Sequence, residues 1–319
     1  MSANYQAGPM ISVVVPFYDE VESVAELHAR LLSALRPLGR PFELIFVDDG
    51  SGDGTFEVCR KLSPLTLIRL RRNCGQTAAL AAGLGEAKGG VIVTMDGDLE
   101  NDPVDIPELL SKLDEGYDII SGWRRGRWRN QPFSRLLPSL LANRFISWVT
   151  RVKLHDHGCQ LKAYRRECLD RLTFSGDMHR MAAAYAARGG AKVFEVPVRF
   201  ERRKYGRSKY GLFRVFKVLL DVLAFHFFQK FSTRPMHFFG VIGFVMLFFG
   251  GLIFLLMLAF RFFLDIPFIS TPLPTLSAFF IIIAFQFILM GLLAEMIYRF
   301  SKSEGSPPGH EVAEIIRNN

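Results

Sequence analysis

The sequence predicts an α/β fold. A mostly parallel, Rossmann-like sheet with helices on both faces leads into an interfacial amphipathic helix and a two-helix transmembrane hairpin. Three observations predict this. Short β-type runs at residues 11–15, 42–47, 65–70, 91–95 and 117–121 alternate with helical patterns, which is the signature of a parallel sheet. The first run, Ile11-Ser12-Val13-Val14-Val15, is almost continuously apolar, as a strand buried on both faces must be. Residues 238–260 and 276–296 are apolar and long enough to span a bilayer, and the first of them carries no charge.

Each element follows from its own residues. Pro16 ends the first run, and Val24, Leu27, Leu31, Leu32 and Leu35 then recur at helical spacing through Arg36. The second run leads into Asp48-Asp49-Gly50-Ser51-Gly52-Asp53-Gly54-Thr55, a turn rich in carboxylates and glycine, with a short helix after it. An Ala-rich helix over 76–88 follows the third run, and residues 107–115 form another. Residues 133–149 read as helix, and 192–196 and 198–200 as strands. Residues 212–228 place Arg214, Lys217 and Asp221 on one helical face and apolar residues on the rest, as in a helix lying in the bilayer interface. The domain boundaries that result are 1–210 for the α/β domain, 211–235 for the juxtamembrane helix, 236–298 for the hairpin (spans at about 238–260 and 276–297) and 299–319 for a polar tail with little order at its end.

Composition narrows the class. Of 319 residues, 50% are hydrophobic, 22% are charged and 30 are Phe, with a net charge of +8. That apolarity points to a membrane, and the basic balance to anionic lipid or a phosphorylated substrate. No zinc-finger, homeodomain or RNP signature supports nucleic acid as a partner. Cys59, Cys74, Cys159 and Cys168 form no C-x-x-C pair and read as reduced thiols facing the cytoplasm. The polar N-terminus carries no secretory signal pattern. Lys230 and Arg234 before the first span, and Arg299 and Lys302 after the second, place both termini on the cytoplasmic side. Gln286 and Glu295 inside the second span suit contacts between helices or between copies.

The chemistry gathers where the fourth strand ends, at Met95-Asp96-Gly97-Asp98-Leu99-Glu100. Clustered carboxylate oxygens are hard ligands suited to Mg²⁺ or Mn²⁺. In such sheets ligands bind at the carboxyl ends of the strands, where Tyr18 and Glu20, Asp48 and Asp49, and Asp96 and Asp98 all fall. A lone D-x-D would be weak, since acidic pairs often cap helices or fill turns. Three acidic loops at strand ends of one sheet raise it. The glycine-rich acidic turn lacks the closing Glu of an EF-hand, Gly83-x-Gly85 does not follow a strand, and no Walker A loop is present. Arg124, Arg125, Arg127, Arg129 and Arg135 crowd the next loop, where their forks suit a second anion. His155-x-His157 lacks a second pair of zinc ligands, and Asp156 is the better candidate for site chemistry. The basic stretch 201–210 suits closure over a phosphate or attraction to lipid.

Three motifs in order resemble family 2 glycosyltransferases of the GT-A fold: Val15-Pro16-Phe17-Tyr18-Asp19-Glu20, Val47-Asp48-Asp49-Gly50-Ser51-x-Asp53-x-Thr55 and Met95 to Glu100. Asp156-x-Gly158-Cys159, Met178-His179-Arg180 and Arg203-x-x-Gly206-x-Ser208-Lys209-Tyr210 look like the polyprenyl-phosphate branch. Dolichyl-phosphate mannose synthases and bacterial polyisoprenyl-phosphate glucosyltransferases belong to that branch. The resemblance covers nearly the whole chain. It implies a multi-pass enzyme of the inner (cytoplasmic) membrane, with its catalytic domain in the cytosol. Such an enzyme transfers a sugar, with inversion, from a UDP-glucose or GDP-mannose type of donor to polyprenyl (undecaprenyl) phosphate. A 4-formamido-arabinose type of donor and a non-catalytic nucleotide-sugar or lipid-binding role are the alternatives. The resemblance assigns Pro16, Tyr18, Glu20, Asp48 and Asp49 to the donor, and Asp96, Asp98 and Glu100 to the metal. It assigns Arg124, Arg135, Ser139, Arg203, Ser208 and Lys209 to the acceptor phosphate, and Asp156 and Asp98 to catalysis. The family often has Asn at the position of Asp19 and Gln at that of Glu100. A homo-oligomer is expected, because two-helix anchors often pack with their own copies.

Overall fold

The computed structural model describes residues 9–126, 143–144, 147, 152–169, 182–201, 235–301 and 312–318. The chain divides into two compact units, Met1–Val222 with Pro308–Asn319, and Leu223–Pro307.

In the first unit the order is β1 (Ile11–Phe17), α1 (Val24–Leu35), β2 (Phe42–Asp48), α2 (Thr55–Cys59), β3 (Leu65–Leu70), α3 (Gln76–Glu86), β4 (Val91–Thr94) and α4 (Ile106–Asp114). Then follow β5 (Ile119–Arg124), β6 (Lys162–Arg165), α5 (Arg166–Leu169), α6 (Ala182–Arg188), β7 (Val193–Val198) and, from the end of the chain, β8 (Val312–Asn318). The eight strands make one sheet in the order β7-β5-β6-β4-β1-β2-β3-β8. Strands β4, β1, β2 and β3 run parallel, as do β5 and β7; β6 is antiparallel to β4 and β5, and β8 to β3.

The central strands are buried on both faces, so successive side chains feed two different cores. Ile11, Val13, Val15 and Phe17 of β1 join Leu44 and Phe46 of β2 beneath α1 and α4. Val14, Ile45 and Val47 point the other way, toward Ala79 and Leu80 of α3. Helix α1 buries Val24, Leu27, His28, Leu31 and Leu35, a stripe at helical spacing. This layering leaves the carboxyl ends of β1, β2 and β4 side by side at one rim.

The second unit is a helical hairpin, α7 (Pro235–Phe263) and α8 (Leu273–Ser301). Both helices are long and apolar enough to cross a membrane, and only 17% of each apolar window is buried, unlike a core helix. Phe244, Phe248, Leu255, Ile282, Phe285 and Leu289 stand exposed along them. The helices touch through small residues: a Cβ added at Gly243 would lie 2.8 Å from Ile288, and one at Gly250 2.8 Å from Ile281. Ser277 Oγ donates to the Gly250 carbonyl at 2.9 Å.

Two expectations are revised. Residues 192–196 and 198–200 are not separate strands, because β7 runs through Pro197. It is an edge strand, where a missing N–H is tolerated. The tail does not lack order at its end: β8 extends the sheet along β3. The short β6 inserts antiparallel between β4 and β5, so β4 and β5 are not neighbours. The helices expected at 133–149 and 212–228 fall largely or wholly outside the described residues.

Candidate active site

The rim is built by loops that brace one another. Asp49 N–H donates to the Phe17 carbonyl at 2.9 Å, continuing the β1–β2 pairing one step past the strands. The chain then turns sharply at Asp19, whose φ is +55°. Asp19 N–H donates to Ser51 Oγ at 3.0 Å, Glu20 N–H to Thr55 Oγ1 at 2.9 Å, and Val21 N–H to Asp53 Oδ2 at 3.1 Å. Ser51, Asp53 and Thr55 are therefore struts that hold Tyr18 and Glu20 in place. Tyr18 stands partly exposed on this platform, while Pro16 and Glu20 are half-buried.

The two carboxylates at the end of β2 have different surroundings. Asp49 accepts from Cys74 N–H at 2.7 Å and Gly75 N–H at 2.9 Å, one on each oxygen, and so clamps the loop between β3 and α3. Its burial raises its pKa above the ordinary carboxylate value, with those two bonds opposing the rise. Asp48 is fully buried; Oδ1 accepts from Ser51 N–H at 3.1 Å, whereas Oδ2 has no hydrogen-bond partner. Arg69 Nε faces that oxygen at 3.7 Å, an ion pair longer than a hydrogen bond, so the oxygen can still accept from an N–H or O–H.

At the end of β4, Asp96 accepts from Gln76 Nε2, and Asp98 Oδ1 accepts from Glu100 N–H at 3.1 Å. Between them Gly97 lies against the Phe17 ring, where any Cβ would strike it, and its carbonyl accepts from Ser23 Oγ at 2.8 Å. Leu99 is buried with φ of +59°, a left-handed conformation that costs a branched residue energy. Its side chain anchors the turn in the core, which fixes the direction of the flanking carboxylates.

Arg124 and Asp156 supply the adjoining wall. Arg124, at the end of β5, is 3% exposed. Its Nε donates to Asp156 Oδ2 at 2.7 Å and its Nη2 to Oδ1 at 3.1 Å. Burial would favour the neutral guanidinium, but the Asp156 carboxylate holds its pKa above the ordinary arginine value. Asp156 Oδ1 also accepts from Gly158 N–H at 3.1 Å, and its own N–H donates to Glu195 Oε1 at 3.0 Å. Both oxygens of Asp156 are thus engaged, which suits a positioning role rather than a base. Arg124 is thus buried and tied to Asp156. Its Nη1 lies 3.6 Å from Glu100 Oε2. Among the described residues no three His, Cys, Asp or Glu side chains converge. Asp96, Asp98 and Glu100 all follow β4, with Glu100 facing Arg124. Arg135, Ser139, Arg203, Ser208 and Lys209, expected at the acceptor, lie outside the described residues, as do Met178, His179 and Arg180.

Sequence reasoning missed several supporting residues. Glu195 on β7 holds the backbone of His155 and Asp156, and Gln76 holds Asp96. Lys162 is fully buried on β6, its Nζ 3.5 Å from the His157 carbonyl, and burial pulls its pKa down to about 8. Only the G-C-Q-L-K run around Lys162 carried any signal, a charge set within an apolar strand.

Residues 12–173 match the family described as Glycosyl transferase family 2. A dodecaprenyl-phosphate galacturonate synthase from Rhizobium johnstonii is 39% identical over 317 residues, 96% of this chain and 93% of that protein. An undecaprenyl-phosphate 4-deoxy-4-formamido-L-arabinose transferase from Edwardsiella ictaluri is 30% identical over 326 residues, 99% of this chain and 97% of that protein. Among solved structures, a mannosyl-3-phosphoglycerate synthase from Rubrobacter xylanophilus aligns with TM-score 0.57 at 14% identity, over 70% of this chain and 75% of that one. A mannosyltransferase from Pyrobaculum calidifontis, solved with GDP-Man and Mn²⁺, aligns with TM-score 0.50 at 20% identity, over 94% of this chain and 77% of that one. The likeness to these structures is one of fold, the GT-A arrangement of sheet and helices. With the sheet, the acidic rim and these relatives together, the chain is a glycosyltransferase that belongs to glycosyl transferase family 2.

Proposed function

We propose that this protein transfers a sugar from a nucleotide sugar to a polyprenyl phosphate at the cytosolic face of the inner membrane. The observation that carries the reading is the rim itself. Asp96 and Asp98 follow β4 beside β1 and β2, where the buried Asp48 Oδ2 accepts no hydrogen bond and faces Arg69 at 3.7 Å. The two polyprenyl-phosphate relatives above carry different sugars in their names but both name a polyprenyl phosphate. The apolar hairpin suits an acceptor whose tail stays in lipid.

The donor set fits a divalent ion. Two carboxylates with the donor's own phosphates are the ligands a small hard cation such as Mg²⁺ or Mn²⁺ takes, and it keeps water in its remaining positions. Asp96 and Asp98 would hold it, and when bound it would offset charge on the departing diphosphate. Asp48, Tyr18, Pro16 and Glu20 hold the nucleoside end; Asp49 acts through the β3–α3 loop. The acceptor phosphate oxygen attacks the anomeric carbon as the bond to the diphosphate breaks, which inverts that centre. A phosphate monoester has its second pKa near ~6 and is largely deprotonated at neutral pH, so no strong base is needed. Asp156 accordingly orients Arg124 and Glu100, and rate comes from positioning and charge complementarity. The acceptor-side roles of Arg135, Ser139, Arg203, Ser208 and Lys209 rest on the family resemblance. Lys230, Arg234, Arg299 and Lys302 favour cytosolic placement of the flanking segments.

The test is a donor panel on washed membranes with undecaprenyl phosphate: labelled UDP-galacturonate, UDP-glucose, GDP-mannose and UDP-4-deoxy-4-formamido-arabinose. Label from one donor moving into the organic extract is expected. Label in an aqueous polymer, or no transfer with any donor, would overturn the proposal.

A further inference from the structure

We propose that the C-terminal strand β8 is the outer wall of the donor-nucleotide pocket, and that Glu314 receives N–H groups of the donor's base. The inference rests on the nucleotide-sugar reading above and adds a residue distant from every motif that supports it.

Strand β8 runs antiparallel to β3, so its first residues lie beside the carboxyl end of β3, at the rim where the donor sites gather. The pairing is regular from Leu65–Asn318 to Arg69–Glu314 and then shifts, with Leu70 opposite Val312. Ala313 is the extra residue, a bulge of the kind that bends a strand and re-aims its side chains beside a site. At that point a cavity of about 450 Å³ opens, lined by Gly50, Arg69, Leu70, Arg71, Ala313 and Glu314. Its volume is within the range of about 300–1,000 Å³ usual for small-molecule pockets.

The inner wall of this cavity is the donor loop. Gly50 immediately follows Asp48 and Asp49; a Cβ there would lie 2.7 Å from the carbonyl carbon of Arg72, so loop and wall are in close contact. The Asp49 carboxylate ties the same loop to Cys74 and Gly75. Arg69 is fixed too: its guanidinium lies 4.4 Å over the Phe56 ring, and its Nε pairs with Asp48 Oδ2 at 3.7 Å. The cavity therefore combines two guanidiniums, the held Arg69, which can stack on a planar ring, and Arg71, with one carboxylate, Glu314, which accepts only N–H or O–H. A heterocycle bearing ring or exocyclic N–H groups matches that chemistry. Glu314 is exposed at the mouth, placed to receive them as the base enters. The strand is otherwise held by contacts remote from the cavity. Arg317 pairs with Glu86 at 2.7 Å, and Asn318 Nδ2 donates to the carbonyls of Arg60 at 2.8 Å and Leu62 at 2.9 Å.

The experiment measures binding of UDP and GDP to purified full-length protein by calorimetry, without acceptor, and donor kinetics in parallel. Glu314→Ala leaves the strand's backbone pairing in place. It is expected to weaken binding of the preferred nucleoside diphosphate about tenfold, the worth of one hydrogen bond to a charged acceptor. Donor KM should rise by the same factor, with kcat and acceptor KM within about twofold, because Glu314 is not at the reacting atoms. Chain termination before Val312 should weaken nucleotide binding at least as much. Glu314→Gln, which keeps an acceptor oxygen, should lose less than Glu314→Ala. Wild-type nucleotide binding that Glu314→Ala and the truncated chain both retain would overturn the role of β8 and leave the function intact. Wild-type protein that binds neither nucleotide would overturn the function and, with it, this wall.

Discussion

Arg124 shows how far one side chain organises the site. Its fork closes on Asp156 in a buried bidentate pair, and its remaining nitrogen faces Glu100. Lysine keeps the charge but cannot reproduce the fork. Arg124→Lys should lower kcat by about a hundredfold, as a misplacement of about 1 Å does in a positioned site, with donor binding nearly unchanged. Arg124→Ala should also destabilise the fold by about 3–5 kcal/mol, because it leaves Asp156 buried without its partner; melting of the purified variants checks both. His157 sets a pH limit on the same wall. Burial and the neighbouring Lys162 cation hold its imidazole down to about 4. The unfolded chain, with His near ~6.5, binds the proton first, so stability should fall as pH drops from about 6.5 toward 4, by up to about 3 kcal/mol. In His157→Asn that part of the slope should vanish, read as the difference between the two melting curves across the window. At this scale the motif carboxylates were legible because they are polar residues at the ends of apolar runs. Their division of labour was not. Asp48 and Asp49 are adjacent and chemically alike, and only the fold sends Asp49 to a loop clamp and turns Asp48 toward Ser51 and Arg69.

At the scale of elements, the rim depends on close approach between β1 and the turn after β4. Gly97 sits against Phe17, so Gly97→Ala must push the ring or the turn. A cost of about 1–3 kcal/mol is expected from overpacking. A loss of activity of about a hundredfold should accompany it from the shift of Asp96 and Asp98. Donor turnover and melting, measured on the same preparation, separate the two effects. The four parallel strands β1 to β4 were readable because each is a short apolar run bounded by turn residues. β7 was cut in two by Pro197, since the sequence alone does not say that this strand lies at the sheet's edge. The sequence predicts a tail at β8 because residues 301–319 are polar and charged, and the strand's side chains are indeed mostly exposed. Its order comes from the open edge of β3, a partner more than two hundred residues away. Covering that edge also blunts a surface on which strands of other chains could add.

At the scale of the molecule, a glycosyltransferase domain is joined to a helical hairpin long and apolar enough to cross a membrane. The spans were the most legible feature of the chain, because twenty or more apolar residues have few other uses. Within α8, Gln286 is exposed amid apolar neighbours. A polar amide facing lipid is unfavourable, and a second copy of the hairpin would satisfy it. Gln286→Leu should therefore shift the purified protein toward smaller assemblies in light scattering with the fold intact. An interhelical bond of this kind is worth about 0.6 kcal/mol.

The whole account turns on a cation held by the carboxylates at the end of β4. The direct measurement is transfer of labelled sugar to undecaprenyl phosphate by wild-type and Asp98→Asn protein, each with Mn²⁺ and with excess chelator. Wild-type protein should transfer with Mn²⁺ and stop with chelator, and Asp98→Asn should lose about a thousandfold under the best condition. Asp98→Asn protein that transfers at the wild-type rate, with chelator present, would contradict the account.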